Sequence, residues 1–216
     1  MRVALVKGMT KTLSTLTLSA IVLGLVAISP LRASAQDVTS PLTLASATVS
    51  IAGTSNIHEW TAATTDVRVT RIALAKGVSG AGVLAAALNP GAVEAFEIAI
   101  RTAALSSPKD GVDKNMHKAL KAEQFKDITF RLLRLEAKPA LRAIGMLTIA
   151  GVEREVAFEL KTTATATALT ITGEVPLLMT DYGITPPKAM LGMLKTDPKI
   201  TVKFEVVLAA PQTLTR

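Results

Sequence analysis

Ile200-Thr201-Val202-Lys203-Phe204-Glu205-Val206-Val207-Leu208 carries the clearest alternation in the chain. Ile200, Val202, Phe204, Val206 and Leu208 fall at every second position. Thr201, Lys203 and Glu205 fall between them. A strand sends successive side chains to opposite faces, so this stretch predicts a strand with one dry and one wet face. The same period runs through Phe96, Ile98 and Ile100, through Val156, Phe158 and Leu160, and through Leu169, Ile171, Gly173 and Val175. One dry face per strand is the pattern of an antiparallel sheet.

Working outward, further strands are expected at Leu42 to Ala52, Ile57 to Ala73, Ile128 to Glu136 and Leu141 to Ile149. The phase slips near Leu132-Leu133, as a bulge would make it do. Asn89-Pro90-Gly91, Lys138-Pro139 and Ala150-Gly151 read as turns. The total is about eight short strands, which favours an all-β barrel or sandwich over βαβ units. Two places break the period. In Gly111 to Lys121, Val112, Met116 and Leu120 recur at i, i+4 and i+8, the spacing of one helix face; Asp110 or Asp113 would cap it. Pro186 to Lys195 reads as a loop with a short helical turn.

The N-terminus reads differently. Arg2, Lys7 and Lys11 precede the uncharged, mostly apolar run Leu13 to Ile28, and Ala33-Ser34-Ala35 fits a small-x-small cleavage pattern. Sixteen residues interrupted by hydroxyls are short for a membrane span, which needs about 20. We therefore read residues 1–35 as a secretory signal peptide and 36–216 as one domain. The signal carries four of the 24 basic residues and none of the 17 acids, so the remaining 181 residues carry +3 rather than the +7 of the full 216. No basic cluster remains to track phosphates, so no nucleic-acid partner is expected. The chain has no Cys. That excludes disulfides, thiolate chemistry and a lipid anchor at the cleavage site. The expected location is periplasmic or secreted, with no membrane span after cleavage.

The catalytic inventory is thin. His58 and His117 are the only histidines, and no metal-protease, nucleophile-elbow or phosphate-loop motif is present. A structural role is expected for His58 and solvent exposure for His117. An enzyme reading would have to use His58 with Glu59 or Asp181. The domain is expected to be no enzyme and to hold no metal. Five Phe, one Trp and one Tyr leave small and branched aliphatics to fill the interior. A barrel of this size either packs its lumen with side chains or holds one small ligand, and composition does not choose between the two.

Four blocks in order carry a resemblance: Gly53-Thr54-Ser55-Asn56-Ile57-His58-Glu59-Trp60; Asp113 to Leu120 with Phe125 to Phe130; Gly145-Met146-Leu147-Thr148-Ile149-Ala150-Gly151-Val152; and Thr180-Asp181-Tyr182-Gly183-Ile184 with Pro186-Pro187 and the closing strand. Together they resemble the YceI-like, polyisoprenoid-binding family of exported bacterial proteins. Glu153 departs from the Thr expected there, and the strands are poorer in aromatics. The resemblance implies a lipocalin-like barrel with an elongated apolar cavity for a polyisoprenoid or quinone-like lipid, bound without catalysis and with no other cofactor. Expected lining residues are Phe96, Ile98, Ile100, Phe130, Phe158 and Leu160. Met116, Leu120, Met190 and Met193 are expected at the mouth, and Trp60 and Tyr182 as the groups that orient a polar head. The alternative is an interaction module of the cell envelope, or of its stress response, without a ligand. Oligomeric state stays open, a homodimer included.

Overall fold

The computed structural model describes residues 42–210 apart from 81, 190 and 192. The expected signal peptide and Met190 lie outside the described residues. Ten strands follow in chain order: β1 (Thr43–Ser55), β2 (Glu59–Thr64), β3 (Val67–Leu74), β4 (Val93–Arg101), β5 (Asp127–Glu136), β6 (Arg142–Ile149), β7 (Val152–Ala164), β8 (Ala168–Leu178), β9 (Lys188–Ala189) and β10 (Leu194–Ala209). Nine of them form one sheet in the order β2-β1-β10-β8-β7-β6-β5-β4-β3, and β9 pairs β10 alone.

The two end strands, β2 and β3, are separated in sequence only by Thr65 and Asp66. β2 pairs β1, and two residues later β3 pairs β4. The chain thus carries one sheet edge to the other and curls the antiparallel sheet into a lipocalin-like half-barrel around one interior. The segment Ile57 to Ala73, read from the sequence as a single strand, is these two strands. With the two-residue β9, that break accounts for ten elements where about eight were expected.

The remaining elements follow local chemistry. The β6–β7 turn is Ala150-Gly151, with φ of +49° and +81°. Positive φ at both central residues is what a tight hairpin turn demands, and glycine tolerates it without strain. The register of β5 against β6 shifts between Leu132 and Arg134, at the expected bulge. That shift leaves Leu133 42% exposed while Leu132 and Leu135 face the interior.

Helix α1 (Val83–Ala86) buries Val83 and Leu84. Four residues in a Gly-rich stretch are too few to show a helical period. Helix α2 (Asp110–Ala119) lies where expected, but neither aspartate caps it: its N-cap is Lys109, without a side-chain hydrogen bond. Residues 186–195 include a small ladder, Lys188 against Lys195 and Ala189 against Leu194, and Leu191 between its two strands is in a 3₁₀ turn, the short helical turn expected there. Pro187 helps to hold it, its carbonyl accepting the Thr196 amide at 3.1 Å.

Candidate functional site

The barrel interior holds two chambers that share Val49, Ile100, Leu147 and Val202 as lining. One has a volume of about 370 Å³ and the other about 150 Å³. Shared walls make them neighbours at the two ends of one interior.

The narrow chamber is lined entirely by apolar residues. Phe130, Phe158 and Phe204 form a chain across it. Phe130 and Phe158 lie 5.7 Å apart and tilted, and Phe158 and Phe204 lie 5.5 Å apart edge to face. Such geometries match positive ring edges to negative faces. Two of these rings also lie over glycines. A Cβ at Gly145 would strike the Phe130 ring, and one at Gly173 would strike the Phe204 ring. Missing side chains therefore make room for large ones, and few aromatics suffice to fill this end. Ala87 and Leu88, just after α1, close it.

The wide chamber is walled mainly by aliphatic residues and floored by α2, which contributes Val112, Met116 and Ala119, with Leu120 at its C-cap. Two side chains seat this helix. Asp113 accepts the Ser107 amide at 2.6 Å and the Ser106 hydroxyl at 3.1 Å. His117 Nε2 lies 2.8 Å from the Leu105 carbonyl. A carbonyl only accepts, so Nε2 carries the proton. The solvent role expected for His117 is thus corrected: the half-buried ring ties α2 to residue 105. Ser106 in turn pairs with Ala63 of β2, so the helix is bound to the barrel wall.

The polar groups gather at this end. Ser55, His58, Trp60, Lys109, Asn115, Tyr182 and Thr196 all line the wide chamber. Ser55 is spent on its own turn, donating its hydroxyl to the His58 carbonyl at 2.8 Å. Trp60 Nε1 and Tyr182 Oη are different: both are buried and neither finds a hydrogen-bond partner in the protein. A buried polar group left unpaired costs about 1–3 kcal/mol, and native structures carry few.

Local structure explains the placement of both. Trp60 stands opposite Gly53 in the β1–β2 register, and its indole covers the space a Cβ would need. Tyr182, 3% exposed, ends the 3₁₀ turn Met179–Tyr182 and is turned inward by Gly183 at φ +66°. Burial and then the negative charge of Asp181 push its hydroxyl up to about 12, with Arg154 pulling the other way. The hydroxyl therefore keeps its proton, and its capacity to donate, through the neutral range.

The expected site residues divide as follows. Phe96, Ile98, Phe130, Phe158 and Leu160 line the narrow chamber, Ile100 lines both, and Met116, Leu120, Trp60 and Tyr182 line the wide one. Met193 does not join them. It is 65% exposed, and its carbonyl accepts the Asn56 side-chain amide at 2.8 Å. That bond ties residue 193 to the chain beside Ile57, next to the chamber rim formed by Pro187 and Leu194. Sequence reasoning passed over Val49, Ile51, Leu177, Met179, Ile184 and Val202, which also line the wide chamber. Val202 belongs to the alternating run Ile200 to Leu208, whose period already pointed it inward.

A curled antiparallel sheet around an apolar lumen, with donors at its wide end, defines a lipocalin-like protein. Residues 42–208 match the YceI-like domain, and the chain belongs to that family. Among solved structures it is similar to BcnA of Burkholderia cenocepacia, at 13% identity over 74% of this chain and 95% of that one, TM-score 0.59. It is similar to a polyisoprenoid-binding domain from Saccharophagus degradans implicated in plant cell wall breakdown, at 13% identity over 80% and 99%, TM-score 0.57. The YceI protein of Campylobacter jejuni aligns at 15% identity over 74% and 85%, TM-score 0.52. No curated protein sequence matches the chain.

Proposed function

We propose that this protein is exported and binds a long apolar amphiphile, a polyisoprenoid or quinone-like lipid, without transforming it. The tail runs from the wide chamber into the narrow one. The head stays at the wide end, where Trp60 Nε1 and Tyr182 Oη donate to an acceptor oxygen. The observation that carries this reading is the pair of unpartnered buried donors, Trp60 Nε1 and Tyr182 Oη, on two residues that line a mainly apolar chamber. Burial of each methylene contributes about 0.8 kcal/mol, and the two donors orient rather than drive. The polyisoprenoid-binding relative from Saccharophagus degradans supports the ligand class. The signal-like residues 1–35 support export. The wide chamber, at about 370 Å³, falls within the range of about 300–1,000 Å³ typical of small-molecule sites, which favours a ligand over an interaction module with a filled barrel.

Trp60 is the sole tryptophan and lines the chamber, so its emission reports occupancy. Titration with a short-tailed quinone is expected to give a saturable change in that emission. Ala119→Phe, which puts a ring into the wide chamber, is expected to abolish it while the protein stays folded. A folded wild type whose emission ignores quinones and polyprenols alike would overturn the reading.

A further inference from the structure

Among the described residues, the most exposed large apolar side chains stand outside the lumen, beside its wide end. Leu191 is fully exposed, Met193 is 65% exposed and Ile57 is 60% exposed. They belong to two segments that are bound together. Asn56 donates to the Met193 carbonyl at 2.8 Å and accepts the Lys195 amide at 2.8 Å, and its own amide donates to the Lys195 carbonyl at 3.1 Å. The same segment carries Pro187 and Leu194, which line the wide chamber. The apolar projection and the chamber rim are thus parts of one ladder.

Behind the projection stand two charges of one sign. Lys188 and Lys195 are both exposed and directly opposite each other in the β9–β10 ladder. Like charges facing across a ladder repel, and nothing in the fold requires them there. Between them, residues 189–194 read Ala-Met-Leu-Gly-Met-Leu, without a polar side chain. An apolar tip with a basic collar is the pattern that lies in a membrane interface: the tip enters the acyl boundary and the cations meet anionic headgroups.

We propose that the exposed Ile57, Leu191 and Met193, with Lys188 and Lys195 behind them, dock the protein on an anionic lipid bilayer with its wide chamber facing the lipid. A free amphiphile then passes between membrane and lumen without its tail crossing water. This rests on the lipid-binding reading for its purpose, but docking is measured apart from it. Charge complementarity selects a bilayer over a second copy of the chain, since two copies meeting here would bring four lysines together.

The test is co-sedimentation of the signal-free chain with vesicles of phosphatidylethanolamine and phosphatidylglycerol, and with pure phosphatidylcholine vesicles as the neutral control. Binding is expected to the anionic vesicles, to weaken with salt, and to fall about fivefold for each of Lys188→Gln and Lys195→Gln. Leu191→Asp with Met193→Asp is expected to lower it about tenfold or more. In that double variant the Trp60 response to a short-tailed quinone should persist, which shows an intact fold and chamber. Vesicle binding equal in wild type and the double variant overturns the docking surface, as does no binding to anionic vesicles. Loss of the quinone response in wild type would instead overturn the ligand reading.

Discussion

The two ends of the lumen are built from opposite solutions to the same problem. At the narrow end, three phenylalanines pack edge to face and lean into space that glycines leave open, and every lining residue is apolar. At the wide end, aliphatic walls leave more than twice the volume, and two donors stay without partners. The first end is shaped for stability. The second leaves two buried donors without a partner in the protein. Stability and binding should therefore separate along the barrel axis, and substitutions at the two ends should have different signatures.

The largest expected effect is at the narrow end. Phe158→Ala removes the ring that contacts both of its neighbours, and should cost about 3–5 kcal/mol in denaturant unfolding. Leu177→Ala, on the wide chamber, should sit near the low end of the Leu→Ala range, about 2 kcal/mol, because its side chain already faces space. Equal losses would erase the contrast. Next comes Gly173→Ala. The added Cβ meets the Phe204 ring and the Glu159 carbonyl, and such overpacking should cost about 1–3 kcal/mol by the same measurement.

Tyr182→Phe should invert the pattern. Removing an unpartnered hydroxyl should leave the ligand-free protein as stable or more stable by about 1 kcal/mol. Affinity for a quinone should fall by about three- to tenfold, the worth of one hydrogen bond, as read by Trp60 emission. The same variant sharpens a pH prediction. The unfolded chain releases its tyrosine proton near 10, whereas the folded protein holds it to about 12. Between those values the folded state binds more protons, so stability falls as pH rises through that window. Phenylalanine at 182 should remove that component from thermal unfolding measured across pH 10 to 12. The smallest effect belongs to the outer face. Arg68 and Asp127 pair at 2.6 Å but are 48% and 37% exposed, so Arg68→Ala should change stability by about 1 kcal/mol or less.

The two ends also differed in how much of them the sequence exposed. The narrow end is made by regular strands, and period two in Phe96 to Ile100 and Val156 to Leu160 points each lining residue inward. The wide end is made by irregular chain. Tyr182 and Trp60 were legible as amphipathic rings and through the family resemblance. The seating of α2 by Asp113 and His117 was not, because both bonds reach residues 105–107, a segment without periodicity. Met193, expected at the mouth, stands exposed beside it and lines neither chamber; the Asn56 bond that ties its segment down spans 137 positions of sequence. The split of one long strand at Thr65-Asp66 was passed over too, although the phase changes there: the less exposed positions are Trp60, Ala62 and Thr64 before it and Val67 and Val69 after it.

The central claim is that the lumen holds an apolar amphiphile with its head at Trp60 and Tyr182. Native mass spectrometry of the protein purified from a bacterial periplasm, followed by organic extraction, tests it most directly. The expected result is a discrete mass excess that resolves into an isoprenoid or quinone species and falls in the Trp60→Phe, Tyr182→Phe double variant. A bare polypeptide mass, with no uptake of added quinones or polyprenols, would contradict it.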